Sequence, residues 1–76
     1  MTDERRRDLR RIGGNILVRL GVAGMTQKQL AHAMGVHRNM VYEYTSGRVE
    51  MSATRLKSCA RALGCSMDDL MEGVGD

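Results

Sequence analysis

An all-α fold, a compact bundle of about five short helices, is what this sequence predicts, and three observations carry the prediction. The 76 residues include no proline, the residue that most strongly interrupts helices. No stretch alternates β-branched or aromatic residues with polar ones, as a half-buried strand would. Apolar residues recur instead at three- and four-residue steps, and the glycines are expected to fall between those periodic segments as breaks, not inside them.

The elements follow in order. Leu9, Ile12, Ile16 and Leu20 lie at three- and four-residue steps, which puts them on one face of a first helix expected to end near Gly21. Thr26 opens the second helix, and Gln29 three residues later has the capping-box spacing in which each side chain satisfies a free backbone donor. Leu30, Ala31 and Met34 then face inward. Gly35 suits a sharp turn, because glycine reaches positive φ without steric cost, and Val36 plugs the corner. A third helix runs from about Arg38 to Thr45 with His37 as its N-cap; Val41 and Tyr44, three apart, face the core, and Gly47 ends it. Ser52 caps a fourth helix carrying Leu56, Cys59, Ala60 and Leu63, closed by Gly64. Ser66, with Asp69 three residues on, opens a last short turn containing Leu70.

Size and composition exclude several classes of protein. One domain over residues 12–72 is expected, preceded by a basic segment over 1–11 that starts the first helix and followed by a short tail over 73–76. A chain closing at Asp76 is expected to lack an inducer-binding or self-cleaving module. No apolar run approaches the roughly 18 residues of a membrane span, and no basic start leads into a hydrophobic stretch, so a cytoplasmic protein without a membrane partner is expected. Two cysteines are too few for a disulfide framework, and no Cys-x-x-Cys or paired-histidine spacing suggests a metal ligand set. Cys59 and Cys65 read as small buried hydrophobes, His32 as a surface residue, and most methionines as gap fillers in a core without phenylalanine or tryptophan.

Net charge is only +3, but all 12 basic residues lie between Arg5 and Arg61, whereas the last eleven residues hold four acidic ones and no base. Residues 1–65 therefore carry 12 basic against 5 acidic side chains, or +7, a balance suited either to phosphates or to a solvated surface. The cluster Arg5-Arg6-Arg7 and Arg10-Arg11 has two readings: the exposed start of the first helix, with Asp3, Glu4 and Asp8 among the arginines, or a basic arm along phosphates or in the minor groove.

Two short helices joined by a tight glycine turn form a helix-turn-helix, whose second helix fits the major groove of DNA. The residues Thr26-Gln27, Leu30-Ala31, Gly35-Val36, Val41, Ser46-Gly47-Arg48, Leu56, Cys59-Ala60 and Ala62-Leu63-Gly64 occur in the order and spacing of a known family. On them the chain resembles the single-domain helix-turn-helix regulators of the phage repressor and Cro type, also called XRE-like, over about residues 12–71. The resemblance implies the lambda-repressor-like fold and a double-stranded DNA operator as partner.

The resemblance also implies roles. Gln27 would contact a phosphate and steady the first residues of the third helix. Arg38, Asn39 and Glu43 match the positions that reach base edges: arginine can bond guanine O6 and N7, asparagine the N6/N7 edge of adenine, and glutamate the N4 of cytosine. Tyr42 joins them at the bases, and Met40 lies beside it against a thymine methyl or the backbone. Ser46 and Arg48 match phosphate-holding positions, with Lys28 and His37 completing the backbone set. The chain departs from the family at His37, where serine is common, and at Thr45, where a glutamate often pairs with an arginine of the first helix; Arg19 is then left exposed or free for phosphate. Glu43 is repelled by phosphates unless it meets a cytosine amino group or is neutralised by Arg38 or Lys28.

The expected function is transcriptional control by operator occupancy, as a phage-type repressor or Cro-like switch, with a controller of restriction-modification genes or an antitoxin as close variants. One recognition helix reads only a few base pairs, so a homodimer on DNA is expected, with half-sites about 34 Å apart; Met67, Leu70, Met71 and Val74 either supply its contact or close the core. The alternative is a protein-interaction module, an anti-activator or antitoxin-like adaptor. No nucleophile with a base, no paired acids and no phosphate loop is seen, so neither an enzyme nor a cofactor or small-molecule ligand is expected.

Overall fold

Every helix of the chain begins at a side chain that accepts a hydrogen bond from its own first turn, where backbone amides have no helical partner. A computed structural model describes residues 2–75, five helices with no strand among the described residues. They are α1 Asp3–Ala23, α2 Gln27–Met34, α3 Arg38–Thr45, α4 Ala53–Leu63 and α5 Met67–Leu70. Thr2, Thr26, His37, Ser52 and Ser66 are the N-caps, and the boxes expected at Thr26–Gln29 and Ser66–Asp69 are both closed.

The first helix departs from expectation. It is long, 21 residues, and passes through Gly13, Gly14 and Gly21 to a left-handed cap at Gly24; at about 1.5 Å per residue its length matches the 31 Å long axis of the molecule. Gly13 has a tertiary reason to lie inside it. A Cβ there would meet the Thr45 carbonyl oxygen at 2.4 Å and that of Tyr44 at 2.8 Å, so α1 rests directly on the last turn of α3. The usual cost of a mid-helix glycine, about 1 kcal/mol, is offset by that approach. Nothing in the structure explains Gly14 and Gly21, which have no neighbour within 4 Å of a built Cβ.

The core is the predicted set of faces. Ile16 and Leu20 of α1, Leu30 and Ala31 of α2, Val41 and Tyr44 of α3, Cys59, Ala60 and Leu63 of α4, and Leu70 of α5 form one buried cluster. Met25, Met34, Met51 and Met67 pack against it, the flexible filler that a core without phenylalanine or tryptophan needs. Removing each large aliphatic chain from water contributes about 1.5 to 3 kcal/mol. α2 packs on α3 and α4, and α1 lies against α3, α4 and α5. Leu70 is fully buried, so it closes the core and is not free for a dimer contact, whereas Met67 packs on the core while only partly buried. The chain beyond α5 folds back on α1: the Asn15 side-chain amide donates to the carbonyls of Leu70 and Glu72, each at 2.9 Å, and the Gly75 amide donates to Asp8 at 3.2 Å. Of the expected tail over 73–76, Asp76 lies outside the described residues.

Candidate nucleic-acid interface

The geometry of the α2–α3 turn follows from three residues. Gly35 adopts φ 70°, ψ 31°, and the Val36 amide donates to the Ala31 carbonyl at 3.0 Å, a Schellman closure in which the following apolar side chain packs on the core. His37 is extended and its Nδ1 accepts from the Asn39 amide at 3.1 Å. With Val41, Tyr44 and Thr45 buried, helical periodicity leaves the other face of α3 outside: Arg38, Asn39, Met40 and Tyr42 are exposed and Glu43 is half-buried. His37, Lys28 and Arg48 are also exposed, and Gln27 and Ser46 half-buried, on the elements that flank α3.

Several partners differ from those expected. Gln27 reaches the end of α3, where its side-chain oxygen accepts from the Thr45 hydroxyl at 3.4 Å; that hydroxyl also lies 3.2 Å from the Tyr42 carbonyl. A neutral Thr45 thus replaces an ion pair with a hydrogen bond inside the α2–α3 unit. Arg19 is neither free nor left for phosphate: it pairs with Asp69 of α5 at 3.3 Å. Glu43 is neutralised by Arg48, 3.8 Å away, and not by Arg38 or Lys28. The Arg48 guanidinium also stands over the Tyr42 ring, 5.9 Å from its centre. Exposed contacts of both kinds contribute at most about 1 kcal/mol, so their main effect is on where Arg48 points. Ser46 caps the end of α3 by donating to the Glu43 carbonyl at 3.3 Å.

Charge is sorted along the chain by element. The first turns of α1 and α5 hold acids, Asp3 and Glu4 in one and Asp68 and Asp69 in the other, whereas those of α2, α3 and α4 hold none. The two helices of the motif therefore present amide donors and the positive end of the helix dipole without a carboxylate beside them. The arginine-rich segment is helical from Asp3 onward, so among the described residues it is the start of α1 and not an extended arm. Sequence reasoning missed that Arg6 and Arg10 face the Ser46-Gly47-Arg48 loop; their i, i+4 spacing put them on one face, but which loop that face met was a tertiary fact.

The cysteines fit no reactive role. Burial, and then the nearby Cys65 thiol, push Cys59 up to about 12, and burial also raises Cys65. Among the described residues no three histidine, cysteine or acidic side chains gather into a metal ligand set, and no helix is long and apolar enough to cross a membrane.

Known proteins share this arrangement. The restriction-modification controller protein C.AhdI from Aeromonas hydrophila superposes with a TM-score of 0.80 at 25% identity, over 84% of this chain and 97% of its own. The clp gene regulator ClgR from Corynebacterium glutamicum is 33% identical over 82% of both chains, with a TM-score of 0.76. A hypothetical transcription factor, NHTF, from Neisseria matches 93% of this chain and 80% of its own at 26% identity, with a TM-score of 0.79. No curated protein matches the sequence significantly. The helix-turn-helix family model matches residues 22–70, which span α2 through α5, and so the chain belongs to the helix-turn-helix family, of the XRE-like Cro and repressor type.

Proposed function

We propose that the protein is a sequence-specific double-stranded DNA-binding regulator of transcription that occupies an operator with α3 in the major groove. Family membership supports DNA binding in gene regulation. The observation that carries the finer reading is the outer face of α3, where exposed Arg38, Asn39 and Tyr42 offer base-edge chemistry on a helix whose other face is locked by Val41, Tyr44 and Thr45. Arg38 reads guanine, Asn39 reads adenine, and Glu43, held by Arg48, selects for cytosine and against other bases. Gln27, Lys28, His37, Met40, Ser46 and Arg48 hold the backbone and set the register. The protein acts without catalysis or a cofactor, in the cytoplasm, as a small repressor of the phage or Cro kind or as a controller of restriction-modification genes, the role named for the Aeromonas hydrophila relative.

A homodimer on DNA fits the small footprint of one α3; Met71 and Val74, not wholly buried, remain available near α5. A protein partner is the second reading, favoured by exposed apolar side chains on α1: Leu17, Val18 and Val22 are 46%, 64% and 75% exposed. Selection of bound sequences from a random duplex pool decides between them. A recurrent motif, palindromic if two protomers bind, establishes the operator reading. Sequence-blind, salt-sensitive binding contradicts it, and absence of duplex binding at moderate salt leaves the protein-partner reading.

A further inference from the structure

We propose that the cleft between the N-terminal half of α1 and the loop after α3 is a phosphodiester site, in which Arg6, Arg10 and Arg48 together hold one backbone phosphate of the bound duplex. The inference rests on the DNA-binding reading and extends it to a helix outside the helix-turn-helix.

Arg6, Arg10, Ser46, Gly47 and Arg48 line a cleft of about 320 Å³. Its two walls are in contact: a Cβ on Gly47 would lie 2.7 Å from Arg10 Cγ and 2.9 Å from Arg10 Cα and N. α1 and the loop are therefore in close contact at Gly47, and the cleft lies beside that contact. Three arginines line it and, among the described residues, no carboxylate does; Glu43, on α3, is paired with Arg48.

The other arginines of the basic segment are treated differently. Arg5 is bound to Glu50, Arg7 shares its surroundings with Glu4 and Asp8, and Arg11 faces a cleft with Asp69 and Glu72. Of the five clustered arginines, three thus lie beside acids of other elements or of their own cleft, whereas Arg6 and Arg10, four residues apart, line a cleft without a carboxylate. Two like charges on one face repel, and with Arg48 on the opposite wall an anion between them would relieve that repulsion. A phosphate suits the site because planar guanidinium groups bond its oxygens in pairs and the Ser46 hydroxyl supplies another donor. Ser46 directly follows the last residue of α3, so a phosphate here belongs to the same stretch of duplex that α3 faces. The cleft contains nothing that discriminates bases, and its effect is on affinity and register.

The test compares three full-length proteins, the wild type, R6Q/R10Q and R5Q/R7Q, by fluorescence anisotropy against the selected duplex and a scrambled one over a range of salt concentrations. Both variants lose two positive charges from the same helix, and thermal melts establish that each is folded. R6Q/R10Q is expected to flatten the slope of log affinity against log salt by about 0.9 per bound protomer. It should weaken both duplexes by the same factor, whereas R5Q/R7Q changes the slope by less than half as much. An unchanged slope in folded R6Q/R10Q, or equal flattening by R5Q/R7Q, overturns the site while leaving the DNA-binding reading intact. A wild type that binds neither duplex at low salt overturns both.

Discussion

The turns Gly35-Val36-His37 and Gly64-Cys65-Ser66 are alike in backbone but open helices of different charge. Their glycines have φ and ψ of 70° and 31° in one and 70° and 32° in the other. In each, the next amide returns to a carbonyl five residues back at 3.0 Å, Val36 to Ala31 and Cys65 to Ala60, and the middle side chain packs on the core. The helix beyond is started differently. Ser66 and Asp69 cap each other, both at 3.0 Å, with a second acid in the first turn; His37 caps α3 alone, with no acid nearby in the helix. Even the box on α2 uses an amide, Gln29, where α5 uses a carboxylate. An acid at a helix start contributes about 0.3 to 1 kcal/mol, and the chain forgoes it on α2, α3 and α4; on the two helices proposed to meet the duplex, that leaves the amides open to a phosphate. One joint opens a helix start that carries acids, and the other opens one that carries none.

The largest expected effect tests the stabilising role of the second joint. Leu70, which that joint delivers to the core with 0% exposure, should cost about 2 to 5 kcal/mol on Leu70→Ala in urea denaturation. Tyr42→Ala, beyond the first joint and 53% exposed, should shift stability by at most about 0.5 kcal/mol. Comparable losses in the two variants would mean that α3 contributes to the fold through its outer face and is not held ready for a partner.

Next in size are the side chains that the first joint presents. Arg38→Ala and Asn39→Ala should each weaken operator binding by about 1 to 3 kcal/mol and relax preference at one base pair, with unfolding midpoints unchanged. Asp68→Ala, at the matching helix start on α5, should leave the selected motif as it was. Repeating the sequence selection on each variant checks this, and a motif unaltered by Arg38→Ala and Asn39→Ala would remove α3 from base recognition.

Gln29→Glu isolates the charge difference. A glutamate keeps the capping box and suits the helix dipole, so thermal stability should stay level or rise by a few tenths of a kcal/mol. Duplex affinity should fall severalfold at low salt, and the deficit should shrink as salt screens the new charge. Unaltered affinity would show that the start of α2 lies away from phosphates.

How far these joints were legible depends on the range of the interactions that make them. The caps at Thr26, His37, Ser52 and Ser66 rest on bonds spanning two or three residues, and the buried faces rest on periodicity, so both could be read directly from the chain. Gly13 could not, because its cause is the Thr45 carbonyl, 32 positions away in sequence. The Arg19–Asp69 pair and the cleft at Arg6, Arg10 and Arg48 likewise exist only once α1 has been laid across α3 and α5. Glu43 and Arg48 are a nearer miss: five residues apart, they straddle the end of α3, and the chain leaving the helix brings the arginine back to the carboxylate. The placement of the outward residues of α3 followed from periodicity, whereas the roles given to them came from resemblance to a family.

The smallest effect is the most diagnostic of why one joint carries an acid. Asp69 is held below the ordinary carboxylate range chiefly by the Ser66 amide, then by the Ser66 hydroxyl, with Arg19 adding to the shift. A carboxyl whose folded value is depressed stabilises the fold above its unfolded value, and that contribution disappears as pH falls through the folded one. Denaturation midpoints of the wild type and Asp69→Asn should therefore differ at neutral pH and converge from about pH 5 downward. Gln29→Ala, which breaks the uncharged box at α2, should instead run parallel to the wild type over the same range. Parallel curves for Asp69→Asn would show that the acid acts at α5 through its shape, as Gln29 does at α2, and the contrast between the two helix starts would then lie in what approaches them from outside and not in how they hold the chain.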